Sequence, residues 1–130
     1  MDLISQNGAT FRFVTSGWSF YLNLAEEYGW RPAGTLPPKS YPDPAKWPGE
    51  YDWNAGQIVS AVDPRQLAEA LERALADPQR AEREKLLAER LAEALRAMTG
   101  LDSQIQPPTD DTAFLKEVIT FFRQGQFEIW

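Results

Sequence analysis

The residues best equipped for recognition chemistry gather between positions 30 and 53. There Trp30, Tyr41, Trp47, Tyr51 and Trp53 alternate with Pro32, Pro37, Pro38, Pro42, Pro44 and Pro48. Flat aromatic rings beside rigid proline form a platform for a peptide, a sugar ring or a planar ligand. Arg31, Lys39 and Lys46 stand in the same stretch and have the charge to orient an anionic group, although flexible basic side chains around a loop are more often solvated. The candidate ligand- or partner-binding set is therefore Trp30, Arg31, Tyr41, Trp47, Tyr51 and Trp53. In a small protein the same rings also serve to cover helix faces, a structural alternative for Trp30, Trp47 and Trp53 above all. Asp43, Glu50 and Asp52 lie among the rings, the combination of a carboxylate-dependent hydrolase, but that chemistry needs two carboxyl groups at a set separation and nothing in the spacing singles out a pair.

Most other catalytic designs lack their parts. The chain has no histidine and no cysteine, which removes the commonest general base, the Ser-His and Cys-His nucleophiles and the usual zinc ligand sets. Neither a Gly-x-Gly-x-x-Gly turn nor a Gly-x4-Gly-Lys phosphate cradle is present. The chain reads as non-enzymatic, with no catalytic residue, metal or cofactor assigned.

Composition bounds the rest. With 130 residues, 43% hydrophobic and 25% charged, the chain fits a single globular domain over positions 1–130. A net charge of -6 opposes phosphate-backbone binding, so nucleic acid is not an expected partner. The densest basic group, Arg80, Arg83 and Lys85, is interleaved with Glu82 and Glu84, the pattern of a solvated helix face. No basic start precedes an apolar run, and no stretch approaches the ~18 apolar residues of a membrane span. The expectation is a cytoplasmic protein without membrane contact.

The elements that must position the aromatic stretch are mainly helical. Ser16 is placed to cap a helix over about 17–28, with Trp18, Tyr21, Leu22, Leu24, Ala25 and Tyr28 on its apolar positions and Gly29 at its end. The prolines then forbid either backbone ladder, predicting a long loop that must pack by its own side chains or serve a function. Gln57, Ile58 and Val59 read as a brief extended segment. A second helix follows Ser60 or Asp63, with Pro64 at its first position and Leu67, Leu71, Ala74 and Leu75 on one face. Asp77 and Pro78 repeat the capping device for a third helix, whose face is Leu87, Leu91, Ala94, Leu95 and Met98 and whose end is Gly100. The short link favours antiparallel packing of these two helices, or one kinked helix. After a connecting loop at 101–110, Asp110 or Asp111 caps a fourth helix with a broad apolar face of Phe114, Leu115, Val118, Ile119, Phe121 and Phe122. Residues 11–14 alternate as a short strand, and Phe127, Glu128, Ile129 and Trp130 are expected to pair near them. The fold class is mainly α, of the α+β kind: about four helices with a two- or three-stranded sheet and a long Pro/Trp-rich loop.

Three stretches carry a resemblance: Gly29 to Thr35 (GWRPAGT), Asn54 to Ser60 (NAGQIVS) running into the Leu/Ala-rich helix, and Phe121 to Trp130. They resemble small bacterial proteins without an assigned function, over most of the chain. The resemblance implies a bacterial cytosolic origin and brings no activity and no catalytic residues. The leading functional expectation is a protein-interaction module of unknown partner. A small-ligand binder using the 30–53 loop is the alternative and a carboxylate-dependent hydrolase the third reading. A homodimer would use the broad face of the last helix or the edge of the C-terminal strand.

Overall fold

Alternating burial along three short segments, with an open edge strand beside them, builds the sheet. In the computed structural model, which describes residues 1–60, 62–102, 105–108 and 110–130, these strands are β1 (Asp2–Ser5), β2 (Thr10–Arg12), β3 (Gln57–Val59) and β4 (Phe127–Ile129). They form an antiparallel sheet in the order β2-β1-β4-β3. Leu3 faces Phe11 on one side and Ile129 on the other, and Ile129 faces Gln57 in turn. Strand periodicity then puts Leu3, Ser5, Gln57, Val59, Phe127 and Ile129 on one buried face. Residue 61 and part of the linker expected at 101–110 lie outside the described residues.

Two strand expectations are corrected. The sheet has four strands among the described residues, and β4 pairs with β1 and β3 instead of with the segment around residues 11–14. The missing strand is β1: Asp2 and Ser5 leave only the adjacent Leu3 and Ile4 as apolar residues, so no alternation marks it. What makes it a strand is the hairpin with β2, closed by Gly8 at φ +86° and the Gly8 N–H donating to the Ser5 carbonyl at 3.0 Å.

Four helices cover the buried face: α1 (Thr15–Glu27), α2 (Val62–Ala76), α3 (Arg80–Thr99) and α4 (Thr112–Phe122). Most of their predicted apolar positions are buried in α1, α2 and α4, with Tyr28, Leu75 and Phe114 only partly so. α1 begins just before the expected cap, with Val14 at the N-cap and no side-chain cap. The expected antiparallel packing of the second and third helices is also corrected. α2 packs against α1 and α4 and α3 packs against α1, with little contact between α2 and α3 themselves. The aromatic rings fill the space between helices and sheet: Phe122 stacks on Phe127 at 5.5 Å, with Trp18 edge-on to both. No helix among the described residues is long and apolar enough to cross a membrane.

Both surfaces named for a homodimer are committed inside this fold. α4 buries Leu115, Val118, Ile119, Phe121 and Phe122, and β4 lies between β1 and β3 with no free edge.

The C-terminal Trp130 closes the sheet over one glycine. Its N–H donates to the Asp2 carbonyl at 2.7 Å, and its ring lies on Gly56, where an added Cβ would stand 2.6 Å from Cη2. Gly56 also holds φ +87°, a conformation that carries a penalty for any residue with a Cβ. Gly56→Ala is therefore expected to destabilise the fold by roughly 1–3 kcal/mol through strain and overpacking, measured as a lowered urea midpoint. An unchanged midpoint would show that the Trp130 ring moves aside freely.

Candidate functional site

Three aspartates beside helix starts had been assigned the same local task, and the structure gives each a longer reach. Asp63, Asp77 and Asp111 each accept a tyrosine hydroxyl: Tyr51 donates to Asp63 at 2.5 Å, Tyr28 to Asp77 at 2.7 Å and Tyr21 to Asp111 at 2.8 Å. Asp77 retains part of its capping role, accepting the Gln79 N–H at 2.9 Å. Asp63 is a correction, its hydrogen bonds running to the loop, and of the two candidates for α4 the first-turn bond falls to Asp110, which accepts the Thr112 N–H at 3.4 Å, with no side-chain cap from Asp111. All three phenols are held well above the ordinary tyrosine range, by burial first and by the neighbouring carboxylate second. Asp77 is held below the usual carboxylate range, chiefly by Tyr28 and then by the Gln79 N–H.

Asp63 positions the aromatic loop. It has no solvent exposure. Its Oδ1 accepts the Trp30 indole N–H at 3.3 Å and the Ala33 N–H at 3.2 Å, while Oδ2 accepts Tyr51. The Tyr51 oxygen in turn accepts the Gly34 N–H at 2.8 Å. Trp30 and Tyr51 meet edge to face at 5.5 Å, and the Trp18 indole donates to the Tyr51 carbonyl at 2.8 Å. The base of the loop is thus part of the core, and Trp30, 2% exposed, is not on the recognition surface proposed for it.

Further along, backbone and side chains tie the loop to β3 and to itself. Leu36 and Ile58 exchange N–H to carbonyl bonds at 2.8 and 3.0 Å, a bridge that covers the outer edge of β3. The Thr35 hydroxyl donates to the Glu50 carbonyl at 2.7 Å. Buried Gln57 donates to the Trp53 and Glu50 carbonyls and accepts the Ala55 N–H. Proline removes ladder donors, and these side chains supply bonds in their place.

The remaining aromatic residues form a ladder at the surface. Tyr41 meets Trp47 at 5.0 Å and Trp47 meets Trp53 at 5.2 Å, both nearly perpendicular. The Trp47 indole donates to Thr35 at 3.0 and 3.1 Å, fixing the middle ring, while Trp53 is 47% exposed. Arg31 folds back to donate to the Trp30 carbonyl at 3.0 Å. The six sequence candidates therefore divide: Trp30 and Tyr51 anchor, Tyr41, Trp47 and Trp53 form the surface ladder, and Arg31 bonds only to its neighbour.

Neither a family model, a curated protein nor a solved structure matches this chain. That agrees with a resemblance that brought no activity, and the site must speak through its geometry. Between α1 and the loop lies a cavity of about 190 Å³, lined by Asn23, Glu26, Trp30, Glu50, Tyr51 and Asp52 among others. It brings Glu50 and Asp52 together with Glu26. Asp43 is not among its lining residues and pairs with Lys46 at 3.8 Å. Among the described residues no group of three acids is arranged to hold a metal ion.

Sequence reasoning missed Asp63. Its one signal was redundancy: Ser60 already offered a cap for the same helix, leaving the Asp63 carboxylate free for another use. Asp63→Ala orphans the Trp30 and Tyr51 donors at once and is expected to cost about 3 kcal/mol, in the range of broken buried networks. Loss of exchange protection at the Ala33 and Gly34 amides should accompany the drop in urea midpoint. Full protection at both amides would show that the loop does not hang on this carboxylate.

Proposed function

We propose that this chain is a non-enzymatic protein-interaction module whose contact surface is the ladder of Tyr41, Trp47 and Trp53. The observation that carries this reading is a run of perpendicular rings, Trp53 half-exposed and Tyr41 and Trp47 partly so, on a loop whose base is fixed by a buried carboxylate. Rigid aromatic side chains bury large area at little entropic cost, which is why they dominate interface hot spots. The bonds of Trp47 to Thr35 favour a surface ordered before the partner arrives, so less ordering remains for binding.

The size of the neighbouring cavity favours this reading over a small-ligand binder. At about 190 Å³ it falls below the roughly 300–1,000 Å³ of ordinary ligand pockets. The hydrolase reading narrows to Glu50 and Asp52, which line this cavity together while Asp43 stands apart.

The test compares the wild-type chain with Trp53→Ala and Trp47→Ala in affinity capture, followed by titration of the captured partner. Each substitution is expected to weaken that partner by about tenfold or more, and Trp53→Ala should leave the thermal midpoint unchanged because its ring is half in water. A specific partner held equally by both variants would move the contact surface away from the ladder. Saturable stabilisation by a metabolite, lost in Tyr51→Phe but not in Trp53→Ala, would favour the cavity instead.

A further inference from the structure

Glu84 is 2% exposed and sits on α3 one turn after Arg80 and one turn before Leu87 and Ala88, the residues by which the helix is buried. Among the described residues its Oε1 has no hydrogen-bond partner, and it stands 3.7 Å from Arg80 Nε. The same guanidinium reaches Asp111 at 3.3 Å and donates to the Thr112 hydroxyl at 2.9 Å. Asp111, at the N-terminus of α4 and 6% exposed, also accepts the Tyr21 hydroxyl from α1 at 2.8 Å. Two buried carboxyl groups from two helices thus share one cation.

If both carboxyls were charged, the cluster would hold one negative charge without a partner, an arrangement that burial penalises strongly. Asp111 accepts the Tyr21 hydroxyl and is the nearer of the two carboxyls to the guanidinium, at 3.3 Å against 3.7 Å. Glu84 Oε1 meets no donor among the described residues, and a proton on the carboxyl both removes the excess charge and supplies a hydrogen bond between the two carboxyls. The other ionisable groups near this point are Tyr28 on α1, with Asp77 and Arg83 around its hydroxyl and ring; Tyr28 is neutral, and Asp77 and Arg83 pair with each other at 3.0 Å.

We propose that Glu84, Asp111 and Arg80 form a proton-operated latch that docks α3 against α1 and α4, closed while Glu84 is protonated and loosened when it ionises. The position of the latch gives it leverage. Leu87 and Ala88 beside it are buried, but the same apolar stripe leaves the body further on, with Leu95 38% and Met98 82% exposed. Beyond Leu87 and Ala88 the helix is held by partly buried Leu91 and by the ion pair of Arg90 with Glu27 of α1, and the last two turns add little.

The pH dependence follows from the direction of the shift. Burial first, then the hydrogen bond and charge of Asp111, raise Glu84 to about 8, so the docked state binds a proton that the undocked chain releases at the ordinary glutamate value of 4.5. Docking is therefore fully stabilised at low pH and weakens as pH rises through the folded value.

The test uses the full chain. Carbon NMR of the Glu84 carboxyl should give a titration midpoint near 8, and protection factors of α3 amides should fall at least tenfold between pH 6 and pH 9. Glu84→Gln, which keeps a neutral donor in place, should hold α3 protection constant over that interval. A Glu84 midpoint at the ordinary glutamate value would overturn the latch, as would a Glu84→Gln protein showing the wild-type fall. If that variant does not fold, the wild-type carboxyl titration decides alone.

Discussion

A carboxylate removed entirely from water has to find its donors in the protein, and Asp63 finds them in a loop that could not otherwise hold a shape. The prolines of residues 30–53 interrupt the row of backbone donors and leave no continuous ladder. Three side-chain and backbone groups from that loop, those of Trp30, Ala33 and Tyr51, converge instead on the first turn of α2. α2 is itself fixed by burial of Leu67, Ala68, Ala70, Leu71 and Ala74 against α1 and α4. The loop thereby acquires the rigidity of the helical core through one acceptor. The surface ladder depends on that arrangement, because Trp47 is oriented by Thr35, only two residues beyond the anchored Ala33.

The tyrosine to aspartate bond recurs at the starts of α2, α3 and α4, and in each case joins a helix start to a residue between 12 and 90 positions away. A buried phenol contributes a large apolar area and one hydroxyl that must be satisfied. A carboxylate near a helix N-terminus is already favoured by the backbone dipoles there. Pairing the two solves both requirements, and burial with the neighbouring carboxylate, by raising each phenol, keeps its hydroxyl a donor at neutral pH.

Helices were legible wherever burial is periodic and local. Leu67, Leu71 and Ala74 mark α2, and Gly29, Gly100 and Gly125 fall at helix ends where expected. The loop was legible too, since proline content decides it without reference to anything distant. What the sequence withheld are the contacts between remote positions. Nothing near Leu3 announces that Ile129 lies opposite, and nothing around Asp111 announces Tyr21. An aspartate that caps and one that anchors look identical in sequence, because both precede an apolar periodic run. The aromatic candidates suffered the same ambiguity: Trp30 and Trp53 are the same residue type in the same stretch, separated only by whether a buried acceptor waits for the indole N–H.

α3 shows the limit of reading a stripe as a core. Leu87, Leu91, Leu95 and Met98 fall on one face by helical spacing, and the sequence treats them alike. At 20 residues α3 is about 30 Å long, whereas the 13 residues of α1, its main support, reach about 20 Å. Burial therefore fades along the stripe simply because the support ends, from Leu87 at 3% exposed to Met98 at 82%. The consequence is mechanical. A helix held over its first half by Glu84, Leu87 and Ala88 transmits any loosening at those residues to its whole length, because the last two turns contribute little buried surface of their own. On the proposed latch, electrostatics at one buried carboxyl act together with apolar contact at Leu87, Ala88 and Leu91 and the Arg90–Glu27 pair to keep α3 on the body.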